Sequence, residues 1–173
     1  MKFEICLSRF EGFCNILETI SEKVVTLIMM LMTCIVFAEV ITRMFLNYSV
    51  TWSGELARFL LIWLIFISAS IAQKRGELIA IEFFLNLYSM KFKEIIRLVC
   101  NFVVLWFVVL VSITGFSFLK AMIKYNQMSP GLAVPIWVMY LGFYIGIILM
   151  VFYSVLSILK TTVKLRSSYE RLN

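Results

Sequence analysis

Glu39 and Arg43 stand four residues apart, Glu55 and Arg58 three apart, and the stretch LNYSVTWSG runs between the two pairs. At these spacings the members of each pair share one face of a helix. A carboxylate beside a guanidinium can relay a proton, bind a charged solute, or clamp two helices through a two-pronged ion pair. A proton carrier must stand without a cation for part of its cycle, and Arg43 lies one turn from Glu39. The spacing therefore predicts a structural charge cluster and subunit interface made by Glu39, Arg43, Glu55 and Arg58. The alternative is an autonomous small proton-coupled antiporter working through Glu39. Other chemistry has few residues to use. The chain has no histidine and no aspartate, and Cys6, Cys14, Cys34 and Cys100 lie far apart without a C-x-x-C spacing. No metal site, disulfide framework or thiol redox centre is expected from them. The serines have no neighbouring base, and the glycines form no phosphate-cradling loop. The sequence predicts neither an enzyme nor a bound cofactor.

The elements that must position the charge cluster are apolar. Of 173 residues, 62% are hydrophobic and 15% charged, against about 25% charged in a soluble domain. Four runs reach the roughly 20 residues a helix needs to cross hydrocarbon, at about 24–46, 56–73, 98–119 and 136–159. None alternates as a barrel strand would, so helices remain as the spanning structure. A soluble bundle is excluded by runs such as IIRLVCNFVVLWFVVLVSITGFSFL, which has no polar face to turn toward water. The fold class expected is an all-α membrane protein with four transmembrane helices in one domain covering residues 1–173.

Cations set the orientation. Lys2, Arg9 and Lys23 precede the first span; Lys74, Arg75, Lys91, Lys93 and Arg97 surround the second connection; Lys160, Lys164, Arg166 and Arg171 follow the last span. The third connection holds only Lys120 and Lys124, and LNYSVTWSG holds none. This asymmetry predicts that both termini and the middle connection are cytoplasmic. The net charge of +6 follows from that topology, and nucleic acid is not an expected partner because the cations are dispersed along membrane-flanking segments. No cleavable signal peptide is expected, since the first apolar run starts near Val24 behind charges of both signs.

Two amphipathic segments flank the spans. Phe3, Leu7, Phe10, Cys14 and Leu17 recur at helical steps among polar residues, predicting an in-plane helix over about 2–22. Ile81, Phe84, Leu85 and Tyr88 do the same behind Gly76, predicting a second in-plane helix over about 78–94. Pro130-Gly131 reads as a turn, and Pro135 as the first turn of the final span. Trp52, Trp63, Trp137 and Tyr140 read as interfacial or packing aromatics, Trp52, Trp137 and Tyr140 at headgroup level. Membrane lipids are the expected surroundings.

With these residues in place, a family resemblance emerges. The run Arg43 to Glu82, RMFLNYSVTWSGELARFLLIWLIFISASIAQKRGELIAIE, resembles the small membrane subunit of tripartite ATP-independent periplasmic (TRAP) transporters, the DctQ/SiaQ-like proteins. Arg43, Trp52, Glu55, Arg58, Trp63, Lys74, Arg75, Gly76 and Glu82 carry the likeness, and SPGLAVPIWVMYLGFYIG resembles the family's entry into the fourth span. Gly54, Leu78, Glu82 and Tyr144 depart from the family's usual residues. The resemblance implies a place in the bacterial inner membrane and two partners, a large multi-span subunit with an elevator motion and a periplasmic substrate-binding protein. It also implies sodium-driven symport of an organic acid of dicarboxylate or sialic acid type, with substrate and sodium held by the large subunit. The small subunit would brace that subunit's stationary scaffold.

Overall fold

A computed structural model describes residues 2–46, 51–76 and 90–170. Within them the chain forms four helices: α1, Lys2–Leu46; α2, Thr51–Arg75; α3, Met90–Tyr125; and α4, Trp137–Glu170. Each contains a segment long and apolar enough to cross a membrane. The four spans read from the sequence each fall almost wholly within one of these helices.

One expected boundary is not found. Residues 2–22 do not form a separate in-plane helix, because α1 runs without interruption through residue 23 to Leu46. At about 1.5 Å per residue its 45 residues reach roughly 68 Å, about twice the thickness of the hydrocarbon. The physical reason is local: from Phe13 to Leu46 the sequence has neither glycine nor proline to break the helix. The polar face assigned to water meets α2 and α4 instead, as described below. Of the other expected in-plane helix, about 78–94, residues 77–89 lie outside the described residues, and 90–94 belong to the start of α3.

α2 and α4 run parallel and form the central pair. Trp63 lies opposite Val138 and Gly142, Phe66 opposite Gly146, and Gln73 opposite Ser154. The reason they come so close is the G-x-x-x-G spacing of Gly142 and Gly146, which puts both on one face of α4. A Cβ at Gly142 would sit 2.2 Å from the Trp63 ring, and one at Gly146 would sit 2.6 Å from the Phe66 backbone. α1 packs antiparallel on α2, with Cys14 and Glu18 beside Lys74. α3 packs antiparallel on α4, where the Tyr144 hydroxyl donates to the Ser112 carbonyl at 2.8 Å and Phe118 meets Tyr140 edge-on at 5.1 Å.

The buried core gathers toward the end that carries the chain termini, called here the termini side. Cys14 and Ile28 of α1, Ile67 of α2, and Leu149, Tyr153 and Leu156 of α4 make it up. The opposite end carries the α1–α2 and α3–α4 connections and is called the connection side. There Asn126 closes α3 in a left-handed conformation (φ 43°), with its N–H donating to the Met122 carbonyl at 3.1 Å. Residues 127–136 then form a compact hairpin: Ser129 N–H donates to Val134 O and Ile136 N–H to Gln127 O, each at 2.9 Å. Pro135 precedes α4, and its carbonyl accepts from Val138 N–H at 3.1 Å, leading the chain into the helix.

Candidate functional site

The functional groups of this chain form clusters at both ends of the bundle, so each is built here from its residues. On the termini side, α2 ends in Gln73, Lys74 and Arg75, and the antiparallel pairing carries them to the first half of α1. The Lys74 ammonium donates to Cys14 O at 2.9 Å, Asn15 Oδ1 at 2.7 Å and Glu18 Oε2 at 2.6 Å. All three of its donors are thus used. Its nitrogen also lies 5.5 Å from the centre of the buried Tyr153 ring of α4. The second oxygen of Glu18 accepts from Arg75 Nε at 2.9 Å, and the same guanidinium pairs with Glu22. Glu11 pairs with Lys160 of α4 at 2.5 Å. Glutamates spaced along α1 at steps of seven and four therefore meet cations from two other helices.

Gln73 points the other way, into the bundle. Its amide donates to Asn101 Oδ1 of α3 at 3.4 Å and to Ser154 Oγ of α4 at 3.3 Å, while Asn101 Nδ2 donates to Ser157 Oγ at 2.8 Å. Gln73, Asn101 and Ser154 are buried. In surroundings as apolar as lipid, such bonds between helices hold them together where burial of apolar surface gives little net drive.

On the connection side the arrangement rests on Glu55. Its carboxylate accepts from the Ser129 hydroxyl, from Gly131 N–H at 2.9 Å and from Leu132 N–H at 3.1 Å. Backbone amides and a hydroxyl, all from the α3–α4 hairpin, converge on one carboxylate. Gly131 is needed for that approach, because a Cβ there would stand 2.9 Å from Glu55 Oε2 and 3.1 Å from Thr51 O. A cleft of about 150 Å³ opens beside it, lined by Glu55, Arg58, Phe59, Ser129, Pro130 and Met139.

Of the four charged residues singled out in the sequence, Arg58 lies close enough to act on the Glu55 carboxylate by its charge, but no ion pair joins any two of them among the described residues. Glu55 is engaged by the hairpin, and Arg58 lies exposed at the rim of the same cleft. Glu39 is half-buried and Arg43 exposed on α1, with no ion pair to each other or to α2 among the described residues. The physical reason is that the ionic contacts between α1 and α2 lie at Lys74 and Arg75 on the termini side, while Glu55 turns toward the α3–α4 hairpin. Of the aromatics, Trp63 donates its indole N–H to Val138 O at 3.2 Å and covers Gly142. Trp52 is exposed, Trp137 begins α4, and Tyr140 packs against Phe118.

Sequence reading missed Glu11, Glu18, Glu22, Gln73 and Ser129 as contact residues, whereas Asn101, a lone polar residue in an apolar run, reads as helix-to-helix glue and does join α3 to α2 and α4. Signals existed for all but Ser129. Glu11, Glu18 and Glu22 keep helical register, and Lys74 and Arg75, read above for orientation and for the family likeness, are the cations that match them. For Gln73 the signal was its polarity at the end of an apolar run, and for Gly142 and Gly146 it was the four-residue step.

Compared with known families, residues 32–163 match the model described as "Tripartite ATP-independent periplasmic transporters, DctQ component". The chain belongs to the DctQ family. This match takes in all of α2 and α3 and most of α4, as well as the connection-side part of α1. Among curated proteins, the C4-dicarboxylate TRAP transporter small permease protein DctQ of Vibrio cholerae serotype O1 is 27% identical over 101 residues, covering 58% of this chain and 44% of that protein. The isethionate TRAP transporter permease protein DctMQ of Oleidesulfovibrio alaskensis is 26% identical over 90 residues, covering 52% of this chain and 14% of that protein. The chain thus spans less than half the length of either relative. It is a transmembrane chain of the TRAP small permease type, with four helices among the described residues long and apolar enough to cross a membrane.

Proposed function

We propose that this chain braces the stationary scaffold of a large elevator-type TRAP subunit in the bacterial inner membrane. That subunit takes up an organic acid by sodium-driven symport, from a periplasmic binding protein that delivers it. The observation that carries this reading is the family match over residues 32–163, because it names the transport component and covers most of the described bundle. The two relatives are named for isethionate and C4-dicarboxylate, and those names support a small organic anion as cargo.

The internal chemistry is consistent with a brace. Lys74, Arg75, Glu18 and Glu22 are spent on one another, and Glu55 is spent on a hairpin, so these groups hold helices and do not meet a solute. Lysine and arginine distribution puts the termini side in the cytoplasm and the α3–α4 hairpin in the periplasm. The hairpin then stands where a delivering protein arrives.

The test is reconstitution in sealed vesicles with an inward sodium gradient. Uptake is expected only when this chain, the large subunit and the binding protein are all present. Flux through this chain alone, or equal uptake by the large subunit without it, would overturn the reading. Glu39→Gln is expected to leave substrate preference unchanged in the complete system.

A further inference from the structure

Helices α1 and α2 are held tightly at one end only. On the termini side the Lys74 and Arg75 clamp ties them together, and along α1 the burial of side chains ends at Ile28. Beyond it every described side chain of α1 is half-buried or exposed, with Phe37 66% and Phe45 79% exposed. There an apolar groove of about 500 Å³ lies between the helices, walled by Met29, Met32, Val36 and Val40 of α1 and by Leu61 and Leu64 of α2.

Met32, Val36, Glu39 and Arg43 follow one another at steps of four, three and four. Such steps keep them on one stripe of the helix. The α1 wall of the groove therefore continues toward the connection side as a carboxylate and then a guanidinium. Neither has an ionic partner among the described residues. An acyl chain can fill the apolar part of the groove and an anionic headgroup can reach Arg43, three residues from the end of α1, but such a lipid offers the half-buried Glu39 no donor, and ionisable groups at membrane depth are costly unless paired. A transmembrane helix offers both an apolar ridge and a polar side chain one or two turns further along.

We propose that this groove seats a transmembrane helix of the large permease subunit, whose apolar side chains lie against Val36 and Leu64 and whose carboxylate reaches Arg43. The proposal rests on the brace reading above and adds the face through which the brace works. Glu39 sits one turn below Arg43 and completes the polar end of the seat by accepting a hydrogen bond from the same helix. The apolar face of α3 carries Phe102, Trp106 and Ile113, all exposed. Lys120 and Lys124 continue that stripe toward the connection side, the Lys120 ammonium 4.5 Å from the Phe116 ring centre, but no carboxylate joins them, and lysines at a helix end reach headgroup phosphates, so this face is left to lipid.

The test uses the assembled complex in its membrane, with a photo-crosslinking residue placed at Val36, at Val40 or at Trp106. The expected result is a crosslink to the large subunit from Val36 and Val40 but not from Trp106. Crosslinks to lipid alone from Val36, with the large subunit captured from Trp106, would overturn the assigned face and leave the brace reading intact. Absence of the large subunit from the purified wild-type complex would overturn both. As a second measurement, Arg43→Glu is expected to lower recovery of the large subunit about tenfold, while Lys124→Glu at the end of α3 leaves it unchanged. Equal recovery with Arg43→Glu would also overturn the proposal.

Discussion

The two ends of the bundle are held in different ways. On the termini side, long side chains from three helices meet one another: Lys74 and Arg75 of α2, Glu18 and Glu22 of α1, and Tyr153 of α4. On the connection side, one short carboxylate, Glu55, gathers the backbone of a hairpin through Gly131 and Leu132. The first arrangement ties helix to helix and distributes its charges over several groups. The second orders a loop around a single acceptor. Loss of one group should therefore loosen a helix at the termini side, and free a loop without moving the helices at the connection side.

The largest effect should come from the contact that both ends share. Gly146→Leu forces a side chain against the Phe66 backbone, 2.6 Å from the position of its Cβ. Separating α2 from α4 is expected to cost about 3 kcal/mol, seen as a lowered unfolding temperature in detergent and as loosening of both ends. If only one end loosens, the two are not coupled through α2 and α4. Next comes Lys74→Ala. The Lys74 side chain is 9% exposed, and its removal leaves Glu18 to Arg75 and takes a donor from the Cys14 carbonyl and from Asn15 Oδ1. A loss of about 2 kcal/mol is expected, below that of a fully buried pair because Arg75 keeps one oxygen of Glu18.

Glu55→Gln sharpens the contrast further. The amide keeps the shape but weakens the acceptor, so exchange of the Gly131 and Leu132 amide hydrogens should quicken about tenfold while the Lys74 cluster stays protected. Equal deprotection at both ends would break the comparison. The smallest effect belongs to Lys160→Ala. Its pair with Glu11 is open to its surroundings, with side chains 45% and 40% exposed. Its removal should change stability by less than about 1 kcal/mol in the same unfolding measurement.

Several features of the site were legible in the sequence, but only as types of residue. Glu55 and Arg58 stand out because charges near a membrane span are unusual, yet the partner of Glu55 is a hairpin more than seventy residues away. Spacing along one helix says which residues share a face; it does not say which neighbour that face meets. Glu39 and Arg43 share a face as their spacing says, but they make no ion pair with α2 among the described residues. Gln73 and Asn101 looked like isolated polar residues in apolar runs, and their bond to each other exists only because α2 and α3 both lean on α4.

The sequence by itself determined that this chain crosses a membrane in four helices, because runs of some twenty apolar residues leave the backbone no other way to satisfy its hydrogen bonds in lipid. It also marked the DctQ likeness in the run from Arg43 to Glu82. Only the tertiary structure decided that α1 continues unbroken into the clamp on α2, and that Gly142 and Gly146 let α2 and α4 touch. It likewise placed the strongest ionic network on the termini side, away from Glu39 and Arg43. These depend on how the faces of separate helices meet, and the distance between two helices is written in no single segment of the chain.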